Sequence, residues 1–262
     1  MTQIVGILNV TPDSFSDGGR FVDPKSAIAH ARSLVADGAA LIDLGPASSR
    51  PGSTPVPPEE EIRRIAPVLD ALVADGITVS LDSFQPETQR YGLAHGVSLL
   101  NDIHGFPDPA MYPELARSTC RLVVMHRIVR DAREPPATPK TVLASIEHFF
   151  AERVPTLTAA GIDWERLILD PGMGFFLSAD PDVSLAVLRA LPSLRARFGL
   201  PLLVSVSRKA FLRTLTGRDL PGIGPATLAT ELYAAAQGAD FIRTHDVRAL
   251  RDALVVQGAL RC

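Results

Sequence analysis

The chain of 262 residues is close to the usual length of a (β/α)8 barrel and suits one large domain or two small ones. Hydrophobic residues make up 46% of it and charged residues 21%, a composition that is ordinary for a globular protein and argues against long disordered stretches. The net charge of −3 argues against non-specific nucleic-acid binding, because such binding needs a basic surface. The two cysteines, Cys120 and Cys262, lie in no paired motif, so neither a disulfide framework nor a zinc site is indicated.

The first residues, MTQIVGILNV, lack the basic start and the small-residue cleavage site of a signal peptide. No apolar run approaches the roughly eighteen residues of a membrane span. We therefore expect a cytoplasmic protein that has no membrane and no nucleic acid among its partners.

Eight short runs of β-branched and aliphatic residues recur along the chain. Near-continuous apolar runs are typical of strands that are buried on both faces, as in a parallel sheet. The predicted strands cover residues 4–10, 40–45, 78–83, 98–102, 121–126, 167–172, 201–207 and 240–246.

Helical patterns separate these strands. Apolar residues follow the helical period at Ile62, Ile65, Ala66, Leu69, Leu72 and Val73, and again at Val142, Ile146, Phe149, Phe150 and Leu157. Strand and helix alternating eight times predict a closed (β/α)8 TIM barrel, with residues 1–262 forming a single domain. A doubly wound open sheet is the alternative architecture.

Polar residues lie where the predicted strands end. In a barrel the carboxyl ends of the strands converge on one face, where active sites form. A single polar residue at such a position could also be a turn former or a helix cap, but every strand has at least one. They are Asn9, Asp43, Asp82, Asn101, Asp102, His126, Asp170, Ser207, Arg208, Lys209, Arg243 and His245.

Two loops on this face are long and rich in Gly, Pro and Ser, namely residues 11–20 and 46–53. Long loops at the active face of a barrel often close over a substrate, so both are candidate lids. Plain surface connections are the alternative.

The segment GILNVTPDSFSDGG (6–19) closely resembles the N-terminal signature of dihydropteroate synthases. The resemblance continues in order along the chain, with one motif for each strand. These motifs are LIDLG and SSRPG within 41–52, LDS (81–83), NDI (101–103), MH (125–126), LDPGMGF (169–175), SVSRKAF (205–211) and RTHD (243–246). The resemblance implies a (β/α)8 barrel that joins a pterin pyrophosphate to p-aminobenzoate and releases pyrophosphate.

The sequence is most similar to the sulfonamide-insensitive, mobile-resistance branch of that family. It departs from the ordinary pattern at Gly45-Pro46, at Ser49, in the segment Arg127-Ile128-Val129, and at Phe175-Phe176-Leu177, where ordinary members have Phe-Gly-Lys. The pterin and pyrophosphate motifs are intact, so the changes concern the benzoate side. The resemblance therefore also implies that the protein tolerates sulfonamides.

The resemblance assigns the pterin ring to Asp82, Asn101, Asp170 and Lys209. A buried carboxylate can accept two hydrogen bonds from the N–H donors on one edge of a pterin, and an ammonium is a compact donor to the ring carbonyl. A structural ion pair of the two aspartates with Lys209 or Arg208 is the alternative.

The resemblance assigns the pyrophosphate to Asn9, Ser49, Arg50, Arg243 and His245. Asn9 matches the residue that binds Mg²⁺ in the family, and one protein ligand with substrate oxygens and water is a normal arrangement for this ion. Arg243 and His245 alternate along the last predicted strand, so both side chains are expected on one side. A buried histidine with a purely structural role is the alternative for His245.

The family reaction is thought to be dissociative, with the bond to pyrophosphate breaking before the aniline nitrogen attacks. The resemblance makes Asp82, Lys209, Arg243 and His245 the catalytic residues. The p-aminobenzoate would lie against Phe175, Phe176, Ser207 and the backbone N–H of Ala210. The family also implies a homodimer that packs through the last helices.

Three other functions fit parts of the sequence. Methyl transfer to a corrinoid would use the same Asp-Asn-Asp set without the SSRPG loop, Arg243 or His245. An aldolase could form a Schiff base on Lys209. A pterin-binding barrel that has lost catalysis is the non-enzymatic alternative.

Overall fold

Eight parallel strands form one sheet that closes into a barrel. The computed structural model describes residues 2–11, 23–48, 54–128 and 137–260. Hydrogen-bonded neighbours follow the order β6-β5-β4-β3-β2-β1-β8-β7, and the amide of Leu169 closes the ring by donating to the carbonyl of Pro201 at 2.9 Å. The strands are β1 (Gln3–Asn9), β2 (Leu41–Gly45), β3 (Val79–Asp82), β4 (Leu99–Asp102), β5 (Arg121–Met125), β6 (Leu167–Asp170), β7 (Leu203–Val204) and β8 (Phe241–Thr244).

Helices surround the barrel on its outer side. Every predicted strand and the predicted (β/α)8 class are confirmed, and the open-sheet alternative is wrong. The α-helices of the described residues are α1 (Pro24–Ala36), α2 (Pro58–Ala74), α3 (Pro86–Ala94), α4 (Tyr112–Arg117), α5 (Val142–Ala159), α6 (Pro181–Phe198), α7 (Ala210–Thr216), α8 (Gly224–Ala236) and α9 (Val247–Ala259). None of them is long and apolar enough to cross a bilayer.

The seventh strand is much shorter than the predicted range 201–207. The amide of Leu202 donates to the side chain of Asp240 at 2.9 Å instead of to a neighbouring strand. At the other end, Ser207 belongs to a turn in which Arg208 has a φ of 58°. Ser205 and Val206 between the strand and this turn pair with no neighbouring strand, so the described ladder ends at Val204.

The barrel interior is apolar at the amino ends of the strands and polar at the carboxyl ends. Seven buried side chains form the apolar layer: Val5, Leu41, Leu99, Val123, Ile168, Leu203 and Phe241. Side chains alternate along a strand, so the residues two positions further on face the interior as well. They are Ile7, Asp43, Asn101, Met125, Asp170, Ser205 and Arg243. The fold therefore brings charged groups together in the upper half of the barrel.

Helix α2 shows how the outer layer is fixed. It begins with Pro58, whose fixed φ suits the first helical position, and three glutamates in its first turn complement the helix dipole. Its buried stripe includes Ile65, Leu69 and Leu72, as the helical period predicts. Glu61 rather than Ile62 occupies the buried position nearest the helix start, which the hydrophobic pattern did not predict.

The turn after β6 depends on Gly172. This residue has a φ of 74°, and a Cβ atom added to it would lie 2.4 Å from the carbonyl oxygen of His126. Gly76, at the end of α2, has a similar φ of 71° but no atom within 4 Å of an added Cβ. The two glycines therefore share one backbone conformation and differ in the space around them.

We predict that Gly172→Ala lowers the free energy of unfolding by at least about 3 kcal/mol, because the left-handed conformation and the clash with a buried carbonyl both act against folding. Gly76→Ala is the matched control and should cost only about 1–2 kcal/mol, from the conformation alone. Urea denaturation measures both. Equal losses in the two variants would contradict the steric role of Gly172.

Candidate active site

Arg243 lies inside the barrel and is bound by two carboxylates. Its Nε donates to Asp43 Oδ2 at 2.5 Å and its Nη2 donates to Asp82 Oδ2 at 2.8 Å. These residues come from β8, β2 and β3, which lie on either side of β1 in the sheet, so strand order brings them together. Charge-assisted hydrogen bonds of this kind are short and strong, and they hold the guanidinium in one orientation.

Asp82 lies between this arginine and further acidic groups. Burial raises the pKa of Asp82, and the negative charges of Asp43, Asp102 and Glu61 raise it further, while Arg243 opposes the shift. The proton affinity of Asp82 is therefore set by how firmly Arg243 stays beside it. Such perturbed carboxylates are typical of functional sites.

Asp170 and Lys209 form a second pair of opposite charge. Asp170 Oδ1 accepts a hydrogen bond from the amide of Gly172 at 2.7 Å. Burial raises the pKa of Asp170 to about 6 and lowers that of Lys209 to about 8, while the attraction between the two charges opposes both shifts. Lys209 Nζ also donates to the carbonyl of Met173 at 3.3 Å.

Asn101 has a buried oxygen that nothing in the described chain satisfies. Its residue is paired in register with Asp82 across β3 and β4. Its Oδ1 atom is buried and has no hydrogen-bond partner among the described residues. A buried unpaired acceptor costs free energy, so this oxygen at a strand end is available to a ligand that supplies the donor.

Asn9 and Gly45 end β1 and β2 side by side. A Cβ atom added to Gly45 would lie 3.0 Å from Asn9 Oδ1 and 4.0 Å from Asp82 Oδ2. A side chain at Gly45 would therefore crowd the Asn9 amide oxygen, and glycine lets this oxygen and the Asp82 carboxylate lie near one another. Oxygen ligands of this kind suit Mg²⁺.

His245 follows β8 and is held by Ser207. The Ser207 hydroxyl and His245 Nδ1 are 2.9 Å apart, and the same hydroxyl accepts the amide of His245 at 3.2 Å. The sequence analysis assigned Ser207 to p-aminobenzoate. The structure shows that its hydroxyl also contacts His245, which the sequence did not indicate. His126, another polar residue at a strand end, has both ring nitrogens engaged, by Pro171 and Ser145.

The Phe175-Phe176-Leu177 segment has three different environments. Phe175 is 50% exposed, whereas Leu177 is buried in the main core. Phe176 is half-buried, and Lys209 Nζ lies 4.7 Å from the centre of its ring, within the range of a cation–π contact. The carbonyl of Phe176 accepts the amide of Ile128 at 2.8 Å, so its backbone is fixed as well.

Three predicted site residues remain, namely Ala210, Ser49 and Arg50. Ala210 is the first residue of α7, with its N-cap at Lys209. Ser49 and Arg50, together with residues 12–20 of the first candidate lid and 51–53 of the second, lie outside the described residues.

Sequence reasoning missed several buried polar residues beneath the site. Asp43 was noted as a strand-end residue but was given no role, although it is a partner of Arg243. Glu61 accepts the hydroxyl of Ser83 at 2.6 Å, and Gln89 links the carbonyl of Ser83 to Asp102. A glutamate on the apolar face of a predicted helix was the one signal that could have revealed this network.

Comparisons with known proteins identify the family of the chain. A family model described as a pterin binding enzyme matches residues 5–245. The chain is 60% identical to dihydropteroate synthase type-2 of Escherichia coli, over 98% of this chain and 96% of the relative, and 51% identical to the type-1 protein of the same species, over 99% and 94%. A solved structure of Xanthomonas albilineans dihydropteroate synthase with 4-aminobenzoic acid superposes with a TM-score of 0.91 at 39% identity, covering 100% of this chain and 93% of that one. With matches of this extent, the chain belongs to the dihydropteroate synthase family of pterin-binding enzymes.

Proposed function

We propose that the chain condenses 6-hydroxymethyl-7,8-dihydropterin pyrophosphate with p-aminobenzoate to give 7,8-dihydropteroate and pyrophosphate. The bond from the pterin methylene carbon to the pyrophosphate oxygen breaks, a bond to the aniline nitrogen forms, and that nitrogen loses a proton. The observation that carries the proposal is the buried, unpartnered oxygen of Asn101 beside the mixed-charge cluster at the carboxyl ends of the strands.

The pterin ring is assigned to Asp82, Asn101, Asp170 and Lys209. The Asn101 oxygen and the Asp170 carboxylate accept from the N–H donors of the ring, and the Lys209 ammonium donates to its carbonyl. The low-polarity surroundings that shift the pKa of Asp170 and Lys209 also strengthen hydrogen bonds to a bound ring.

The pyrophosphate is assigned to Arg243 and His245, together with Ser49 and Arg50 on the second loop. A Mg²⁺ ion is assigned beside them, to the amide oxygen of Asn9, which ends β1 next to Gly45 at the carboxyl ends of the strands. Asn9 would hold the ion, and a bound Mg²⁺ would neutralise charge on the leaving pyrophosphate. Arg243 stabilises the same developing charge with preorganised donors.

The charged residues of the site favour breaking the bond to pyrophosphate before the bond to the aniline nitrogen forms. Asp82 lies next to the ring and stabilises the cation that forms at the pterin methylene, while Arg243 and His245 hold the departing pyrophosphate. A neutral aryl amine is nucleophilic, so no strong general base is required. The p-aminobenzoate is assigned to Phe175, Phe176, Ser207 and the backbone N–H of Ala210.

The proposal extends to tolerance of sulfonamides. These drugs reproduce the aniline end of p-aminobenzoate, so an enzyme must discriminate at the other end, where a tetrahedral sulfonyl carries a further substituent. Phe176 is held by Lys209 and by its backbone contact with Ile128, so it can act as a fixed wall there. Phe175 is half-exposed and has less to hold it in place.

We also propose that the enzyme acts in the cytoplasm as one domain spanning residues 1–262 and that it forms a homodimer through its last helices. Helices α8 and α9 expose the large apolar side chains of Tyr233, Val255 and Val256, and Leu260 follows them, a pattern that favours a covered surface.

A turnover assay tests the proposed reaction. The purified chain with pterin pyrophosphate, p-aminobenzoate and Mg²⁺ should release dihydropteroate and pyrophosphate in equal amounts, and a chelator should stop the reaction. Product that forms only with a corrinoid methyl donor, covalent trapping of Lys209 by borohydride with a carbonyl substrate, or pterin binding without turnover would each replace the proposal with one of the alternatives.

We predict that Asp170→Asn weakens binding of a pterin that lacks the pyrophosphate by about 2–4 kcal/mol, because it removes a buried charge-assisted acceptor. Isothermal titration calorimetry measures the change. Asp102→Asn is the matched control, since Asp102 is also buried at a strand end but is bound to Gln89 and the amide of His104. Unchanged affinity in Asp170→Asn would mean that the pterin binds elsewhere.

Pterin affinity should be highest between about pH 6 and pH 8. Below the pKa of Asp170, near 6, the carboxyl gains a proton and loses its acceptor charge; above the pKa of Lys209, near 8, the ammonium becomes neutral. Titrations of the same pterin across this range should show both limbs. Burial raises the pKa of Asp82 to about 7 as well, and Arg243 opposes that shift, so Asp170→Asn should reduce the acid limb to the part that Asp82 contributes. Lys209→Gln should lack the alkaline limb, and an acid limb that is unchanged in Asp170→Asn would assign it to another group.

Phe176→Gly should increase sulfonamide inhibition about ten- to hundredfold, because removing a wall that excludes the drug recovers about 1–3 kcal/mol. The Michaelis constant for p-aminobenzoate should change less. Phe175→Gly is the matched control and should leave the inhibition constant near that of the parent enzyme. A parent enzyme that is already inhibited as strongly as Phe176→Gly would end the hypothesis of tolerance without affecting the assigned reaction.

A further inference from the structure

Asp43 is a buried acidic residue that the reaction described above does not use. It is on β2, one interior layer above the apolar floor of the barrel, and its side chain is 2% exposed. Its carboxylate is 2.5 Å from Arg243 Nε. Burying a charge is costly unless it is paired, so this contact is expected to serve a purpose that an apolar residue could not.

Two carboxylates accept hydrogen bonds from different nitrogens of the Arg243 guanidinium. Asp43 binds Nε from below, and Asp82 binds Nη2 nearer the mouth, with 14% of its side chain exposed. The Nη1 donors have no hydrogen-bond partner in the described ranges. A guanidinium has five donors in a rigid fork, so an anchor at Nε fixes the direction of the others.

We propose that Asp43 is a positioning residue for the pyrophosphate: it anchors Arg243 at Nε, so that the arginine can exchange Asp82 for a pyrophosphate oxygen and still keep a charge partner. The proposal rests on the proposed function, because it names the residue that prepares Arg243 for its assigned ligand. Asp82 is the partner that exchanges, since it is the more exposed of the two and lies in register with Asn101 at the pterin site.

A positioning role and a simple charge effect of Asp43 predict opposite changes in pyrophosphate affinity when Asp43 is removed. If Asp43 only contributes negative charge, its removal should tighten the binding of an anion such as pyrophosphate. If it anchors Arg243, its removal should weaken that binding, because the guanidinium loses its orientation. Asp102 provides the matched comparison, since it is a buried carboxylate whose charge also acts on Asp82 but which does not contact Arg243.

The experiment uses the full chain and calorimetry with two probes, inorganic pyrophosphate with Mg²⁺ and a pterin without pyrophosphate. Asp43→Ala should weaken pyrophosphate binding about 10- to 100-fold, the range of one charge-assisted hydrogen bond, and Asp43→Asn should recover part of the loss because its amide oxygen still accepts from Nε. Pterin affinity should change less than about threefold in both variants. Asp102→Asn should leave pyrophosphate binding unchanged or tighter.

Three outcomes would overturn the proposal: tighter pyrophosphate binding in Asp43→Ala, unchanged pyrophosphate binding in Asp43→Ala, or an equal loss for both probes. Should Asp43→Ala fail to fold, Asp43→Leu replaces it, because leucine keeps the side-chain volume but cannot accept from Arg243 Nε. The unsubstituted chain separates this inference from the proposed function. If it binds neither probe, the proposed function fails, whereas normal binding that Asp43 does not affect rejects only the positioning role.

Discussion

A positive charge inside a barrel is the constraint on which this site depends. Arg243 lies on β8 with little access to water, and the fold neutralises it with carboxylates from β2 and β3. An unpaired buried charge would cost too much folding free energy, while an ion pair buried on all sides could not contact a ligand. Arg243 has one fully buried carboxylate partner, Asp43, and one more exposed carboxylate partner, Asp82. This arrangement keeps the arginine charged and oriented while leaving one of its contacts open to exchange.

Burial and nearby charges also shift the pKa values of two other site residues. Asp170 and Lys209 are buried together, and each lies in the field of Arg243. Burial moves the pKa of the acid up and that of the base down, so both remain charged over a narrow range near neutrality. The unpartnered oxygen of Asn101 agrees with the proposed pterin site, because a ring with N–H donors needs an acceptor that no other group fills.

The fold could be predicted from the sequence because its signals are local and repeated. Apolar runs and helical periods mark the elements, and parallel strand ends bring Asp82, Asn101 and Asp170 to one face. The partners of these residues could not be predicted in the same way. Contacts such as that of Arg243 with Asp43 join positions 200 residues apart, and the link from Ser207 to His245 depends on a turn with a left-handed residue. Neither leaves a pattern along the chain.

The most direct test of the account is a crystal structure of the chain with a pterin, pyrophosphate and Mg²⁺ bound. The account predicts that the ring donates to Asn101 Oδ1 and Asp170, and that Arg243 contacts the pyrophosphate while its Nε stays on Asp43. A ring that binds away from Asn101, or an Arg243 that leaves Asp43 to reach the pyrophosphate, would contradict it.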